Sequence, residues 1–309
     1  MSKQILHITN GYSLTNNMVR FGYTDEILTW QEMLCEGPTI PKIDSAEFFN
    51  IRTEFLKEFY DIEVNQKELE TELALLDDAN KFDEIVLWFE YDLFCHINLI
   101  GVINLLHQKE IKTPLSLVCS GRVEGRKELT GLSELNSKEL KDHYEARTRL
   151  VKEDMELMIA LWRTYNGTDH NIFKMYITQG SSFKYLSNCL KAHLKRFPNS
   201  KNGLSVLEET ILKLIKENKV TTRNQLLGLC LNHQGYYGYG DIQFERLLSH
   251  MEHLFSESKN GFTLTDKGEN VLSGEVNSEM KLSNNITYGA VNRLRYYFDN
   301  EENKLIKVL

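Results

Sequence analysis

The strongest constraint on the fold is a run of apolar residues, Glu84–Phe89 (E-I-V-L-W-F), that is too short for a typical helix and shows no polar alternation. Such runs are typical of strands buried on both faces of a parallel sheet. Residues 5–9, 26–30 and 114–119 also predict strands, and helical patterns separate most of them. Parallel strands need crossover connections, so the first third predicts an α/β fold with a Rossmann-like, mostly parallel sheet.

Helical patterns follow these strands and dominate the middle of the chain. Apolar residues at helical spacing predict helices over residues 14–21, 45–60, 66–81, 93–108, 151–165 and 183–197. After residue 201, three predicted helices, at 206–218, 223–230 and 242–254, precede a strand at 261–265. Three helices, a strand and an x-L-T-x-x-G segment are typical of winged-helix domains.

These changes of pattern divide the chain into three predicted parts. Residues 1–125 form the Rossmann-like α/β domain, and residues 126–200 form a helical connecting region. Residues 201–309 form a winged-helix-like domain.

The composition is that of an ordinary globular protein, with 41% apolar residues, 26% charged residues and a net charge of −8. Phosphate binding needs a basic footprint, so this charge argues against a surface devoted wholly to nucleic acid. The five cysteines show no C-x-x-C spacing, which favours free thiols in a reducing compartment. With no secretory segment and no apolar run long enough to span a bilayer, we expect a cytoplasmic protein without a membrane partner.

The loop after the first strand, H-I-T-N-G-Y-S over residues 7–13, is the predicted ligand site. Ligands of open parallel sheets bind outside the carboxyl ends of the strands. Asn10 and Gly11 permit a tight turn with close backbone approach. Ser13 stands near the start of the next helix, where its hydroxyl and the free N–H groups suit an anion such as phosphate. The alternative is that Ser13 only caps the helix.

Two other residues join this prediction. His7 lies on the first strand and either contacts the ligand or is a buried histidine satisfied by a neighbour. Trp30 ends the second strand and belongs either to the pocket wall or to the core.

Carboxylates at strand ends are the candidate catalytic groups. Glu90 and Asp92 follow the third predicted strand, and Glu36 follows the second after a short interval. Carboxylates there suit acid–base catalysis, metal binding or a hydrogen bond to a ribose. The alternative is structural, with Asp92 capping the next helix and Glu90 paired with a basic group.

Three segments resemble a known family: residues 7–13, E-I-L-T-W-Q-E-M-L-C-E-G-P at 26–38 and V-L-W-F-E-Y-D-L-F at 86–94. They are similar to the bacterial family named domain of unknown function 1835, and N-G-L-S at 202–205 and G-Y-G-D at 238–241 resemble its usual C-terminal companion. The family has no established activity. Its first loop usually reads N-G-D-S, so Tyr12 here occupies the position of an acid.

Other site chemistries are less well supported. G-Y-S-L-T is similar to the G-D-S-L block of a serine esterase family, but the Asp-x-x-His that such a triad needs near the chain end is absent. His250 and His253 lack further ligands, so we predict no metal site. The sequence does not indicate a cofactor.

Two functions from different classes remain open. The first is a binding module that holds a small anionic or nucleotide-like ligand and signals to DNA or a protein partner through the C-terminal domain. The second is a hydrolase or transferase acting on a phosphorylated or nucleotide-like substrate through Glu36, Glu90 and Asp92. A basic stretch from Lys184 to Lys201 favours nucleic acid, whereas the acidic segment 241–254 does not. Carboxylates that converge on one open crevice favour the enzyme, and carboxylates engaged by arginines or helix N-termini favour binding.

Overall fold

The computed structural model of the protein describes residues 3–278 and 284–308. Its helices and strands follow one another in this order: β1 (Ile5–Asn10), α1 (Tyr12–Arg20), β2 (Glu26–Trp30), β3 (Gly37–Pro38), α2 (Ala46–Tyr60), α3 (Gln66–Ala74), β4 (Glu84–Phe89), α4 (Leu93–Gln108), β5 (Leu115–Cys119), α5 (Ser137–Glu145), β6 (Thr148–Arg149), α6 (Lys152–Tyr165), α7 (Phe173–Ile177), α8 (Leu186–Leu194), α9 (Val206–Glu217), α10 (Arg223–His233), α11 (Asp241–Met251), β7 (Phe255–Ser258), β8 (Gly261–Leu264), α12 (Asp266–Ser273), β9 (Thr287–Gly289), β10 (Val291–Asn292), β11 (Tyr296–Asp299) and β12 (Lys304–Lys307).

The main sheet confirms the predicted α/β class. Its strand order is β2-β1-β4-β5-β6, and the first four strands are parallel. The chain moves from β1 to β2 on one side and later returns to place β4 on the other side of β1. Reversal of strand order beside β1 leaves a crevice at the carboxyl ends of the strands, where ligands of such sheets bind.

Several elements differ in extent from the sequence prediction. The helix predicted to begin at residue 14 begins at Tyr12, and the helix predicted to continue to residue 81 ends at Ala74. Beyond Ala74 the chain turns so that Leu76 and Phe82 are buried. The region predicted to be only helical contributes β6, which pairs antiparallel with β5 and extends the sheet.

The last third contains three helices, α9 to α11, followed by the antiparallel hairpin β7–β8 and by α12. A parallel pairing of β9 with β3 joins this region to the segment after β2. Most buried apolar residues, from Leu6 to Leu305, form one core cluster to which all three predicted parts contribute. A smaller, separate cluster includes Leu14, Trp88 and Leu140. No helix among the described residues combines the length and apolar character needed to cross a membrane.

A buried charge network also joins the segment after β2 to the C-terminal third of the chain. Glu36, fully buried after β2, pairs with Arg246 of α11 at 2.9 Å and accepts a hydrogen bond from Tyr60. Arg246 also donates to Asn284, whose amide donates to Glu208 at 3.2 Å. A buried charge is stable only when it is paired and hydrogen-bonded, so these contacts depend on one another.

We expect Arg246→Met to lower the free energy of unfolding by about 3–5 kcal/mol, because it leaves the Glu36 carboxylate buried without its cation. Denaturant unfolding measures this loss. The matched control is Arg223→Met, which breaks the more exposed pair with Glu245 and should cost less than about 1 kcal/mol. A similar loss in both variants would contradict the importance of the buried pair.

Candidate ligand-binding site at the carboxyl ends of the strands

A cavity of about 490 Å³ opens beyond the carboxyl ends of β1 and β2, and we call it the strand-end cavity. Asn10, Gly11 and Tyr12 form one wall, and Trp30 and the residues after it form the next. Helix α3 and the segment before it, residues 62–73, close the third side. The cavity therefore lies at the carboxyl edge of the sheet, on the β2 side of β1.

The β1 loop is held in place by backbone and amide contacts. Gly11 has a φ of 93°, a conformation that side chains other than glycine adopt with strain, and its N–H donates to the Trp30 carbonyl at 3.1 Å. The Asn10 side chain accepts from Asn98 at 2.8 Å and donates to the Cys95 thiol at 3.0 Å. The sequence prediction located this turn correctly.

Ser13 lies in the first turn of α1, near the helix start as predicted, but it does not cap the helix. Helix α1 begins at Tyr12, and its N-cap is Gly11, which has no side chain to cap the helix. Ser13 is therefore the second helical residue, exposed, and it does not line the strand-end cavity. No histidine contacts it among the described residues, so the serine-esterase arrangement has no base beside this hydroxyl.

Glu32, which the sequence prediction did not single out, is an acceptor in the cavity wall that is anchored by an arginine. Its Oε2 atom accepts from Arg52 Nε at 3.1 Å and from the Met33 N–H at 3.1 Å, and Arg52 Nη2 lies 3.0 Å away. Its other oxygen, Oε1, accepts no hydrogen bond from the described residues and is not sealed in the core. The carboxylate is thus fixed by one oxygen and offers the other to a ligand.

The rest of the cavity wall is acidic as well as apolar. Glu63, Glu68 and Glu72 line it with Glu32, and no lysine or arginine of the described residues does. Tyr12 donates its hydroxyl to Glu68, which raises the pKa of the tyrosine to about 12. Burial raises the pKa of Glu72, which accepts the Thr29 N–H at 2.8 Å. This wall suits hydrogen-bond donors or a cation and repels phosphate.

Trp30 lies in the cavity wall, as predicted, and is only 3% exposed. Its indole N–H is buried without a hydrogen-bond partner among the described residues. An unpaired buried donor is costly, so any rearrangement that brings an acceptor to this group is favoured.

His7 lies elsewhere, buried in an aromatic cluster with Tyr23, Trp88 and Tyr144. The Trp88 indole donates to its Nδ1 at 3.1 Å, and burial lowers the pKa of His7 to about 4. The structure does not bring His7 into the strand-end cavity. One ring nitrogen is thus satisfied by a neighbour, as the buried interpretation requires, while Nε2 has no hydrogen bond among the described residues and lies 3.7 Å from Asp25.

Glu90 and Asp92, which we call the carboxylate pair, lie together at the end of β4. Glu90 accepts from the backbone N–H groups of Leu132 at 2.7 Å and Ser133 at 3.4 Å, and Asp92 caps α4 by accepting from the Cys95 N–H at 2.8 Å. Their oxygens and the Cys95 sulfur lie within 4.8 Å of one another. Burial and the neighbouring Asp92 raise the pKa of Glu90 to about 7, and burial raises the pKa of Asp92.

The C-terminal third covers Asp92 and the start of α4. The first two N–H groups of α4, from Leu93 and Phe94, donate to the carbonyls of Tyr236 at 2.8 Å and Tyr237 at 3.2 Å. Gly238 packs so closely that a Cβ atom there would lie 2.1 Å from Asp92 Oδ1. This helix terminus is therefore satisfied by protein carbonyls, and neither carboxylate lines the strand-end cavity.

The three candidate catalytic carboxylates are thus engaged separately. Glu36 pairs with Arg246, Glu90 accepts two backbone N–H groups, and Asp92 caps a helix. The structure brings Glu90 and Asp92 together but holds Glu36 in the network with α11. Carboxylates that are engaged in this way, and that do not converge on one open crevice, favour a structural or ligand-binding role over a catalytic role.

Comparison with solved structures finds a likeness to the DNA-binding, cleavage and re-ligation domain of Plasmodium falciparum topoisomerase II, with a TM-score of 0.47 and 14% identity. It covers 83% of this chain and 42% of that chain, so this chain spans less than half the length of the protein it matches. A likeness this low supports no statement about function. No family model matches the sequence, and no curated protein does.

We expect Glu90→Gln to become progressively more stabilising, relative to the wild type, as the pH rises from 4.5 to about 7. Over this window Glu90 is deprotonated in the unfolded wild type but stays protonated in the folded state. The free energy of unfolding of the wild type therefore falls by up to about 1.4 kcal/mol per pH unit. Glutamine does not titrate and can still accept from Leu132. Urea unfolding at several pH values measures the difference, and a constant difference would contradict the raised pKa.

Proposed function

We propose that the protein is a ligand-binding module whose strand-end cavity holds a nucleoside-like molecule. The observation that carries this proposal is the Glu32 carboxylate, fixed through Oε2 by Arg52 and the Met33 N–H while Oε1 is left for a ligand. Glu32 follows the second strand about 20 residues after the Gly11 turn, the place and spacing at which dinucleotide-binding folds hold a ribose hydroxyl with an acid. A pair of ribose hydroxyls supplies the donors that this acceptor lacks.

The charges in the cavity wall decide between a nucleoside and a nucleotide. Of the four glutamates that line the cavity, Glu32 pairs with Arg52 and Glu63 pairs with Lys57. Glu68 and Glu72 have no cation within ion-pair distance among the described residues. A phosphate beside these carboxylates is repelled, and desolvation strengthens the repulsion. We therefore place an uncharged nucleoside-like ligand here, and the anionic ligand expected from the β1 loop is disfavoured. Apolar side chains such as Leu28, Leu69 and Phe94 provide contacts for a planar base.

A chain of contacts links this cavity to the C-terminal helices. Arg52, which holds Glu32, also donates to the carbonyls of Met33 at 3.0 Å and Glu36 at 2.7 Å. The Glu36 side chain in turn pairs with Arg246 of α11. Ligand contacts that shift Glu32 therefore act on the loop that carries Glu36, and we propose that the winged-helix-like C-terminal region communicates the state of the cavity.

The partner of this C-terminal region is proposed to be a protein. Arg246 is buried, and Lys213, Lys216 and Arg223 are each paired with a glutamate. These contacts leave few basic side chains on α9 to α11 for the phosphate contacts that DNA binding requires. Winged-helix folds serve protein contacts as well as DNA contacts, so the fold does not oppose this assignment.

Calorimetric titration with adenosine, adenosine 5′-monophosphate and 2′,3′-dideoxyadenosine tests the proposal. We expect adenosine to bind more tightly than either analogue, because one analogue adds a repelled phosphate and the other removes the hydroxyl donors. Glu32→Gln should weaken adenosine binding by about tenfold or more, the value of one lost hydrogen bond to a charged acceptor.

The matched control is Glu26→Gln, which makes the same change at the exposed start of β2, outside the strand-end cavity. It should bind adenosine like the wild type. Tighter binding of the monophosphate, equal effects of the two substitutions, or no binding of adenosine, guanosine, cytidine or uridine would overturn the proposal.

A further inference from the structure

A second cavity, of about 310 Å³, lies beyond the carboxyl end of β5 and has the opposite charge; we call it the basic cavity. Arg122, Lys184 and Arg147 line it, and Asp142 is the one carboxylate that the described residues contribute to its wall.

Two of the cations that line the basic cavity have no ion pair within the described part of the protein. Neither Arg122 nor Lys184 has a carboxylate within ion-pair distance among the described residues, and both side chains are exposed. The remaining charges are compensated: Arg147 is held by Glu84 at 2.9 Å, and Asp142 is paired with Lys138 at 3.0 Å. The cavity therefore keeps two positive charges for a ligand.

The walls are fixed by contacts that do not involve a ligand. The Tyr185 hydroxyl accepts the Arg122 N–H at 2.9 Å, and Gly121 packs directly against this tyrosine. On the other side, Ser182 donates its N–H at 3.0 Å and its hydroxyl at 2.7 Å to Asp154. The two segments that carry the cations are thus positioned before any ligand arrives, which lowers the entropic cost of binding.

A third observation comes from Ser120, the residue that follows β5. It borders the basic cavity, is 1% exposed, and its hydroxyl has no hydrogen-bond partner among the described residues. A buried hydroxyl without a partner is costly, and a hydroxyl can both donate and accept a hydrogen bond. An oxyanion in the cavity supplies that acceptor.

We propose that the basic cavity binds a small phosphate-bearing anion through Arg122, Lys184 and the Ser120 hydroxyl. It is separate from the strand-end cavity and does not depend on the function proposed for that site. Burial raises the pKa of the neighbouring Cys119 thiol to about 12, so this thiol stays protonated and the site binds its ligand without a thiolate nucleophile.

Calorimetric titration of the full chain with inorganic phosphate and with glycerol 3-phosphate, against sodium chloride at matched ionic strength, tests the proposal. We expect saturable binding of one equivalent, weakened about tenfold by Arg122→Ala or Lys184→Ala because each removes a charge-assisted contact. Tighter binding of glycerol 3-phosphate than of inorganic phosphate assigns a phosphomonoester as the ligand, and the reverse assigns the free ion.

Two variants separate binding from folding. Ser120→Ala should weaken phosphate binding while leaving the protein as stable as the wild type or more so, because it removes a hydroxyl that has no partner among the described residues. Lys191→Ala removes the same charge from α8 outside the basic cavity and should bind phosphate normally. No saturable phosphate binding up to about 20 mM, or equal weakening by Lys191→Ala and Lys184→Ala, would overturn the proposal.

Phosphate binding also serves as a check on the first site. Glu32→Gln should leave the affinity for phosphate unchanged, since Glu32 lies in the wall of the strand-end cavity and not of the basic cavity. Loss of phosphate binding in this variant would overturn the assignment to the basic cavity without bearing on nucleoside binding.

Discussion

The buried guanidinium of Arg52 fixes the segment on which the rest of the site depends. It is 1% exposed, lies 4.8 Å from the Phe55 ring centre, and donates to Glu32 and to the carbonyls of Met33, Glu36 and Pro38. A planar cation with several donors can satisfy a carboxylate and a turn of backbone at the same time, which lysine cannot do. This one side chain therefore orients the acceptor in the strand-end cavity and presents Glu36 to α11.

Much of the scaffold could be predicted from the sequence because its signals are local. The observed bounds of β2, β4 and α4 match the prediction, since continuous apolar runs mark buried strands and Asp92 marks a helix start. The tight turn at Gly11 was also found for a local reason, the positive φ that glycine permits. These features place the crevice before any tertiary contact is known.

The chemistry of the site could not be predicted in the same way because distant segments create it. The acidic wall comes from Glu63, Glu68 and Glu72, which reach the β1 loop only through the packing of α3 and the segment before it. The partner of Glu36 is Arg246, separated from it by 210 positions. The sequence predicted a small anionic or nucleotide-like ligand at the β1 loop without these carboxylates in view, and our proposal of a nucleoside-like ligand takes them into account.

The most direct measurement is a crystal structure of the protein grown with adenosine. We expect a nucleoside in the strand-end cavity, with a ribose hydroxyl within hydrogen-bond distance of Glu32 Oε1 and with Oε2 still held by Arg52. A nucleoside bound elsewhere, or bound in the cavity with its ribose turned away from Glu32, would contradict the role of this carboxylate.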